Sequence, residues 1–162
     1  LVPLVAGAPW TTADYVFAGV LMFGALGVYE LAARLTGNTA YRTGAGMGLA
    51  AIFLLVWING AVGITDGQAD GLFFLLVPAV GFVGAVVARF RPRGMAFAMF
   101  AAALTVVSIA VFALVAGLVP AHNSPLEILG LAGFFGLLFV GSALLFREAA
   151  REGASVDAGA AA

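Results

Sequence analysis

The chain has 162 residues, of which 64% are hydrophobic and 9% are charged, whereas soluble domains are about 45–50% apolar and about 25% charged. A soluble domain of this size could not bury so much apolar surface. The net charge is −1, and no basic run is large enough to indicate nucleic acid as a partner. The absence of cysteine excludes disulfides and thiolate metal sites. These properties predict an all-α integral membrane protein.

Five apolar segments are long enough to cross a bilayer as helices, since a span needs roughly 20 mostly apolar residues. The predicted spans, in chain order, are residues 13–35, 43–64 (with an alternative start near Thr39), 71–90, 95–119 and 125–147. The runs are continuous, whereas the strands of a membrane barrel alternate over about 10 residues. We therefore predict one membrane domain over residues 1–152, followed by a disordered tail at 153–162.

Capping residues mark the starts of three of these spans. The first follows a threonine N-cap and carries Asp14 in its first turn, and Asp70 caps the third. The start of the fifth is the sharpest local signal, because Ser124, Pro125 and Glu127 occupy the N-cap, first and third positions of a capping box. Each of these signals agrees with a helix rather than a strand.

The basic residues give the predicted bundle an orientation. If the five spans alternate in direction, all seven arginines fall on one face: Arg34, Arg42, Arg89, Arg91, Arg93, Arg147 and Arg151. The positive-inside bias assigns that face to the cytoplasm. We therefore predict an external N-terminus and a cytoplasmic C-terminus.

Four polar residues within the spans are candidates for function. Glu30 is a carboxylate inside the first span, a position that is costly in lipid. Arg34 follows four residues later on the same helix face, so an interfacial ion pair is the simpler reading and a proton or cation relay is the alternative. Asn59 is expected to bond a neighbouring helix, or to contact a substrate. Ser108 can bond its own preceding backbone carbonyls.

Glycine and proline supply a second group of candidates. Gly44 and Gly48 have the spacing that lets helices approach closely. The fifth span carries a stripe of glycines that could instead form a docking face for a partner or a second copy: Gly130, Gly133 and Gly141. Pro78 lies in the middle of the third span and is a candidate hinge. His122, the only histidine, lies in a predicted outer loop and by itself supports neither a haem nor a zinc site.

Four stretches of the chain resemble a family of small, uncharacterised multi-pass proteins of the bacterial inner membrane. They are DYVFAGVLMFGALGVYELAAR (14–34), FLLVWINGAVGI (53–64), ARFRPRGMA (88–96) and EILGLAGFFGLLFVGSALLFR (127–147). The resemblance implies a bacterial inner-membrane location and carries no activity or site. The absence of lysine and the abundance of alanine, glycine, valine and arginine also suit a GC-rich bacterial genome.

The sequence favours a non-enzymatic membrane protein that serves as an accessory or interaction subunit. Its partners would be the lipid bilayer and either another membrane protein or a second copy of itself, and we predict no cofactor and no metal. One alternative is a small transporter or channel that acts as an oligomer, suggested by the proline, the amide and the carboxylate within the spans. A membrane enzyme is the weakest alternative, because few polar residues share one depth.

Overall fold

A computed structural model describes residues 10–61, 70–119 and 123–160 of the chain. This part of the chain contains five α-helices and no strand: α1 (Thr12–Leu35), α2 (Thr39–Ala61), α3 (Asp70–Val87), α4 (Pro92–Val115) and α5 (Pro125–Ala160). Each helix is long and apolar enough to cross a membrane. The prediction of an all-α protein with five candidate spans is therefore confirmed.

A reciprocal capping box begins α1. The Asp14 carboxylate accepts hydrogen bonds from the backbone N–H of Thr11 at 2.7 Å and from the Thr11 hydroxyl at 2.8 Å. The Thr11 hydroxyl oxygen in turn accepts from the Asp14 N–H at 3.4 Å. The capping box thus gives the Thr11 N–H a side-chain acceptor and gives the Asp14 N–H, which also bonds the Thr11 carbonyl at 3.1 Å, a second one. At α5, the backbone carbonyl of Ser124 accepts from the N–H groups of Glu127 and Ile128.

A tight turn between α3 and α4 explains why both helix ends differ from their predicted positions. The N–H of Phe90 bonds the carbonyl of Ala85, and the N–H of Arg89 bonds the carbonyl of Val86, which is the Schellman pattern of helix termination. Arg89 and Phe90 both have positive φ, 50° and 57°, in the left-handed region that glycine usually occupies. Thus α3 stops before the predicted end at residue 90, and α4 starts at Pro92 instead of residue 95.

The end of α4 uses the same termination pattern with the usual residue. Gly117 has φ of 66°, and its N–H bonds the carbonyl of Leu114. The N–H of Leu118 reaches back to Ala113 at 2.9 Å. The helix therefore ends at Val115, four residues before the predicted boundary at 119.

Helices α4 and α5 form the centre of the bundle, with α2 packed on α5 and α3 packed on α4. Small residues of α4 and phenylalanines of α5 interlock there, and the fully buried members include Ala102, Val106, Ala110, Phe135 and Phe139. By contrast, α1 packs mainly on α2. No residue in the most apolar stretch of α1 is buried.

The fifth helix continues well beyond the predicted end of its span at Arg147 and includes most of the segment that we expected to be disordered, 153–162. Two contacts accompany the extension. Arg151 pairs with Glu148 one turn earlier at 3.2 Å, and Asn38 donates from Nδ2 to the Glu152 carboxylate at 2.7 Å. The alanines, arginines and glutamates at 147–152 favour helix. The helix continues over residues 153–160, although two glycines lower the helix propensity there.

Candidate functional site

Helix α2 packs closely against α5 and α4 at two glycines. The buried hydroxyl of Ser142 donates to the carbonyl of Gly44 at 2.7 Å. A Cβ added to Gly48 would lie 2.9 Å from both the Met99 Sδ and the Ser142 Oγ, closer than real Cβ contacts allow. Gly44 and Gly48 thus lie in the interior of the bundle, where their lack of a side chain permits close helix packing.

The glycines of α5 divide into two environments. A Cβ on Gly141 would lie 2.8 Å from the Met47 Sδ of α2, so this residue belongs to the same internal contact. Added Cβ atoms at Gly130 and Gly133 would meet nothing within 4 Å. The predicted stripe is therefore not one continuous surface, because only its first two members lie in open space.

The candidate ion pair is present on α1. Arg34 Nε lies 2.9 Å from Glu30 Oε1, and the side chains are 76% and 59% exposed, respectively. Helix α1 lies at the edge of the bundle, so this pair lies on the outside of the protein. The charge of the carboxylate is balanced within its own helix, which fits an interfacial pair better than a relay through the bundle.

Asn59 connects the C-terminal part of α2 to the start of α3. Its Nδ2 donates to the Asp70 carbonyl at the first residue of α3, at 2.7 Å. Its Oδ1 is buried and has no hydrogen-bond partner within the described ranges. Pro78 remains within α3 and is half-buried.

The remaining polar candidates do not meet Asn59. Ser108 is exposed on α4, and the nearby Thr105 hydroxyl bonds its own helix at Ala101. In the part of the chain that the structure describes, no group of three or more His, Cys, Asp or Glu residues could hold a metal ion. His122 lies outside the described residues.

Sequence reasoning missed a cluster at the end of the bundle where Arg42, Arg89 and Arg147 lie next to its members. This end is called the arginine end of the bundle. The Tyr41 hydroxyl donates to the Phe90 carbonyl in the α3–α4 turn at 2.8 Å. Its ring, only 7% exposed, packs edge-on against Phe146 of α5 with 5.0 Å between centroids. The Asn38 Oδ1 accepts from the Tyr41 N–H at 2.8 Å and caps the start of α2. Tyr41 therefore joins α2, the α3–α4 turn and α5.

Removing the hydroxyl in Tyr41→Phe is expected to lower the stability of the bundle by about 1 kcal/mol, because the carbonyl of Phe90 would lose its side-chain donor. The midpoint of thermal unfolding in detergent would report the loss. Tyr15→Phe, which removes a hydroxyl near the start of α1, is the matched control and should leave the midpoint close to that of the parent chain. An unchanged midpoint in Tyr41→Phe would contradict the inferred role.

The polar contacts of the described residues thus mostly hold helices and turns together, and the candidates Glu30, Asn59 and Ser108 lie on three different helices. Gly44 and Gly48 are internal packing positions, whereas Gly130 and Gly133 lie in open space. No family model, curated protein or solved structure matches this chain.

Proposed function

We propose that this chain is a non-enzymatic, multi-pass protein of the bacterial inner membrane that serves as an interaction subunit of a membrane assembly. The observation that carries the proposal is the position of α1. None of its most apolar stretch is buried, against 44% of the corresponding stretch of α4. Because the rest of the chain covers so little of α1, the lateral surface of this helix is available to another membrane protein.

The outward surface of α1 has the composition that helix association in lipid requires. Val20 and Phe23 are 69% and 74% exposed, and an added Cβ at Gly19, Gly24 or Gly27 would meet nothing within 4 Å. Small residues let a neighbouring backbone approach, and large apolar residues supply the packing contacts. This surface is therefore suited to a second transmembrane helix.

Contacts between helix ends support the orientation that we propose, with the N-terminus outside and the C-terminus in the cytoplasm. The Tyr41–Phe90 bond places the start of α2 beside the α3–α4 turn, and the Asn38–Glu152 bond places the start of α2 beside the turns of α5 that follow Arg151. The arginines near these three places therefore share one end of the bundle. The positive-inside bias favours the cytoplasm for that end.

Cysteine scanning can test the interaction surface, because the parent chain contains no cysteine. Phe23→Cys on α1 would be compared with Leu104→Cys on α4, whose parent side chains are 74% and 70% exposed. With a short thiol-reactive photo-cross-linker in native membranes, we expect one adduct of fixed mass at position 23 and none at position 104. Two results together would overturn the proposal. The first is that the cross-linker labels both cysteines equally but forms no adduct at either position. The second is that the particles in nanodiscs contain a single chain.

An impermeant maleimide can test the orientation separately. In intact spheroplasts the reagent should label Thr12→Cys, at the start of α1, and should label Ser155→Cys on α5 only after the membrane is permeabilised. The reverse pattern would invert the orientation, and labelling of both positions before permeabilisation would contradict insertion with five alternating spans. Neither result depends on the identity of the partner.

A small transporter is the second candidate, and Asn59 is the observation that favours it. A buried amide oxygen without a hydrogen-bond partner in the described residues is costly, and substrate or ion pathways retain such groups. Flux measured in proteoliposomes that falls in Asn59→Ala, but not in the control Thr105→Ala, would favour transport. Flux equal to that of empty liposomes would exclude it for the isolated chain.

A further inference from the structure

A groove of about 510 Å³ lies between α4 and α5 at the arginine end of the bundle. Three of its lining residues are arginines, namely Arg93 from α4 and Arg147 and Arg151 from α5. Because Arg147 and Arg151 are four residues apart, they lie on one face of α5. The groove therefore gathers three of the seven basic residues of the chain from helices that are distant in sequence.

The apolar part of the lining lies farther from the arginine end of the bundle than the charged groups do. Phe97 and Phe100 follow Arg93 on the same face of α4 by about one and two turns. The Phe97 side chain is 75% exposed, and it lies toward the middle of the bundle. A molecule in this groove would thus meet cationic groups at one end and aromatic surface at the other.

The described carboxylates leave most of this positive charge uncompensated. Glu148 lies 3.2 Å from Arg151, but both side chains are more than half exposed, so the pair is weak and exchangeable. No carboxylate among the described residues forms an ion pair with Arg93 or Arg147. The groove therefore carries uncompensated positive charge, which would attract an anion.

The start of α4 adds to that attraction. Helix α4 has 24 residues and begins at Pro92, next to Arg93, and its N-cap residue Arg91 makes no side-chain capping bond. Pro92 has no N–H and the Met95 N–H bonds the Arg91 carbonyl, so only the N–H groups of Arg93 and Gly94 have no partner within the helix and carry partial positive charge. Groups of this kind bind phosphate oxygens, and Arg93, one of these two residues, lines the groove.

We propose that the groove binds an anionic phospholipid, with its phosphate diester among the three arginines and its acyl chains along Phe97 and Phe100. The exposed aromatic surface below the charges favours a lipid over a free anion, because a soluble phosphate would gain nothing from it. Basic pockets between helices at the cytoplasmic surface are suited to anionic headgroups. The assignment rests on the proposed membrane insertion, and it adds a specific lipid to the partners of the protein.

Native mass spectrometry of the full chain, released from nanodiscs that contain phosphatidylglycerol and phosphatidylcholine, tests the assignment. We expect retention of phosphatidylglycerol in preference to phosphatidylcholine, and at least tenfold less retention in the Arg93→Gln, Arg147→Gln double variant. The control is Arg34→Gln, Arg42→Gln, which removes the same charge at the same end of the bundle without touching the groove. Equal retention by the two double variants would overturn the proposal.

Competition with inorganic phosphate distinguishes a lipid from a soluble anion. Millimolar phosphate at constant ionic strength should leave phosphatidylglycerol bound if the acyl chains contribute to binding. Displacement of the lipid at that concentration would show a site for free phosphate and would overturn the lipid assignment.

A fluorescent probe supplies a measurement that does not depend on arginine variants, which can fail to fold. A bimane attached to Phe97→Cys should be quenched more by brominated phosphatidylglycerol than by brominated phosphatidylcholine. The same label at Phe82→Cys on α3, where the parent side chain is 70% exposed, should be quenched equally by both. Equal quenching at position 97, in protein whose orientation the maleimide test has established, would overturn this lipid site and leave the interaction function untouched.

Discussion

Replacing Phe139 with alanine is expected to destabilise the bundle by roughly 2–3 kcal/mol. Its side chain is fully buried in α5, in the cluster that joins α5 to α4. Truncation leaves a cavity and removes the dispersion contacts of a ring. The effect should lie below the roughly 3–5 kcal/mol seen for such changes in soluble cores, because a separated helix would still hold the ring in lipid rather than in water.

The neighbouring surface of α5 offers a control for this change. Leu137 lies two residues earlier and is 73% exposed, so Leu137→Ala removes apolar atoms that face away from the core. Unfolding of both variants with a denaturing detergent, followed by circular dichroism, would compare them directly. A loss as large in Leu137→Ala as in Phe139→Ala would contradict the inward face that the structure assigns to α5.

Gly84→Ala is expected to destabilise the contact between α3 and α4 by about 1–3 kcal/mol. A Cβ at this position would lie 2.6 Å from the Ala98 Cβ and 3.2 Å from the Ala98 Cα. Neither atom belongs to a flexible side chain, so the two helices themselves would have to separate. Heating the variant in mild detergent and measuring the remaining monodisperse fraction by size exclusion would report the effect.

A compensating change makes this test specific. Ala98→Gly removes the obstructing methyl group, so the Gly84→Ala, Ala98→Gly double variant should recover much of the lost stability. Gly24→Ala on α1 is the control, since an added Cβ there meets nothing within 4 Å. Absence of recovery in the double variant, or an equal loss in Gly24→Ala, would show that α3 and α4 do not meet at this point.

The number and type of the helices follow from the sequence because its apolar runs are long and continuous, the pattern of helices that could cross a membrane with every backbone group bonded. Helix ends follow less well, and α3 shows the reason. Its termination pattern places Arg89 in the left-handed region, where the sequence signal would ordinarily be glycine. Gly117, at the end of α4, does carry that signal, but the boundary at residue 119 is predicted from Pro120, which closes the apolar run.

The candidate site was predictable only in part, because residue spacing identifies a helix face and not the neighbour of that face. Gly44 and Gly48 have a spacing that favours close approach, but nothing in it identifies Ser142 as the partner. Along α5 the neighbours change with depth, so Gly141 meets α2 while Gly130 has open space. The bacterial origin, the orientation and the role in an assembly stay predictions.

The length of α5 has a mechanical consequence for a chain inserted as we propose. Its 36 residues extend about 54 Å at a rise of about 1.5 Å each, whereas the hydrocarbon layer is about 30 Å thick. The turns beyond Arg147 would therefore stand about 20 Å out of the bilayer, and the Asn38–Glu152 bond braces their base against the start of α2. Such a helix is a stiff spacer that would transmit tilting of the bundle to whatever it touches in the aqueous phase.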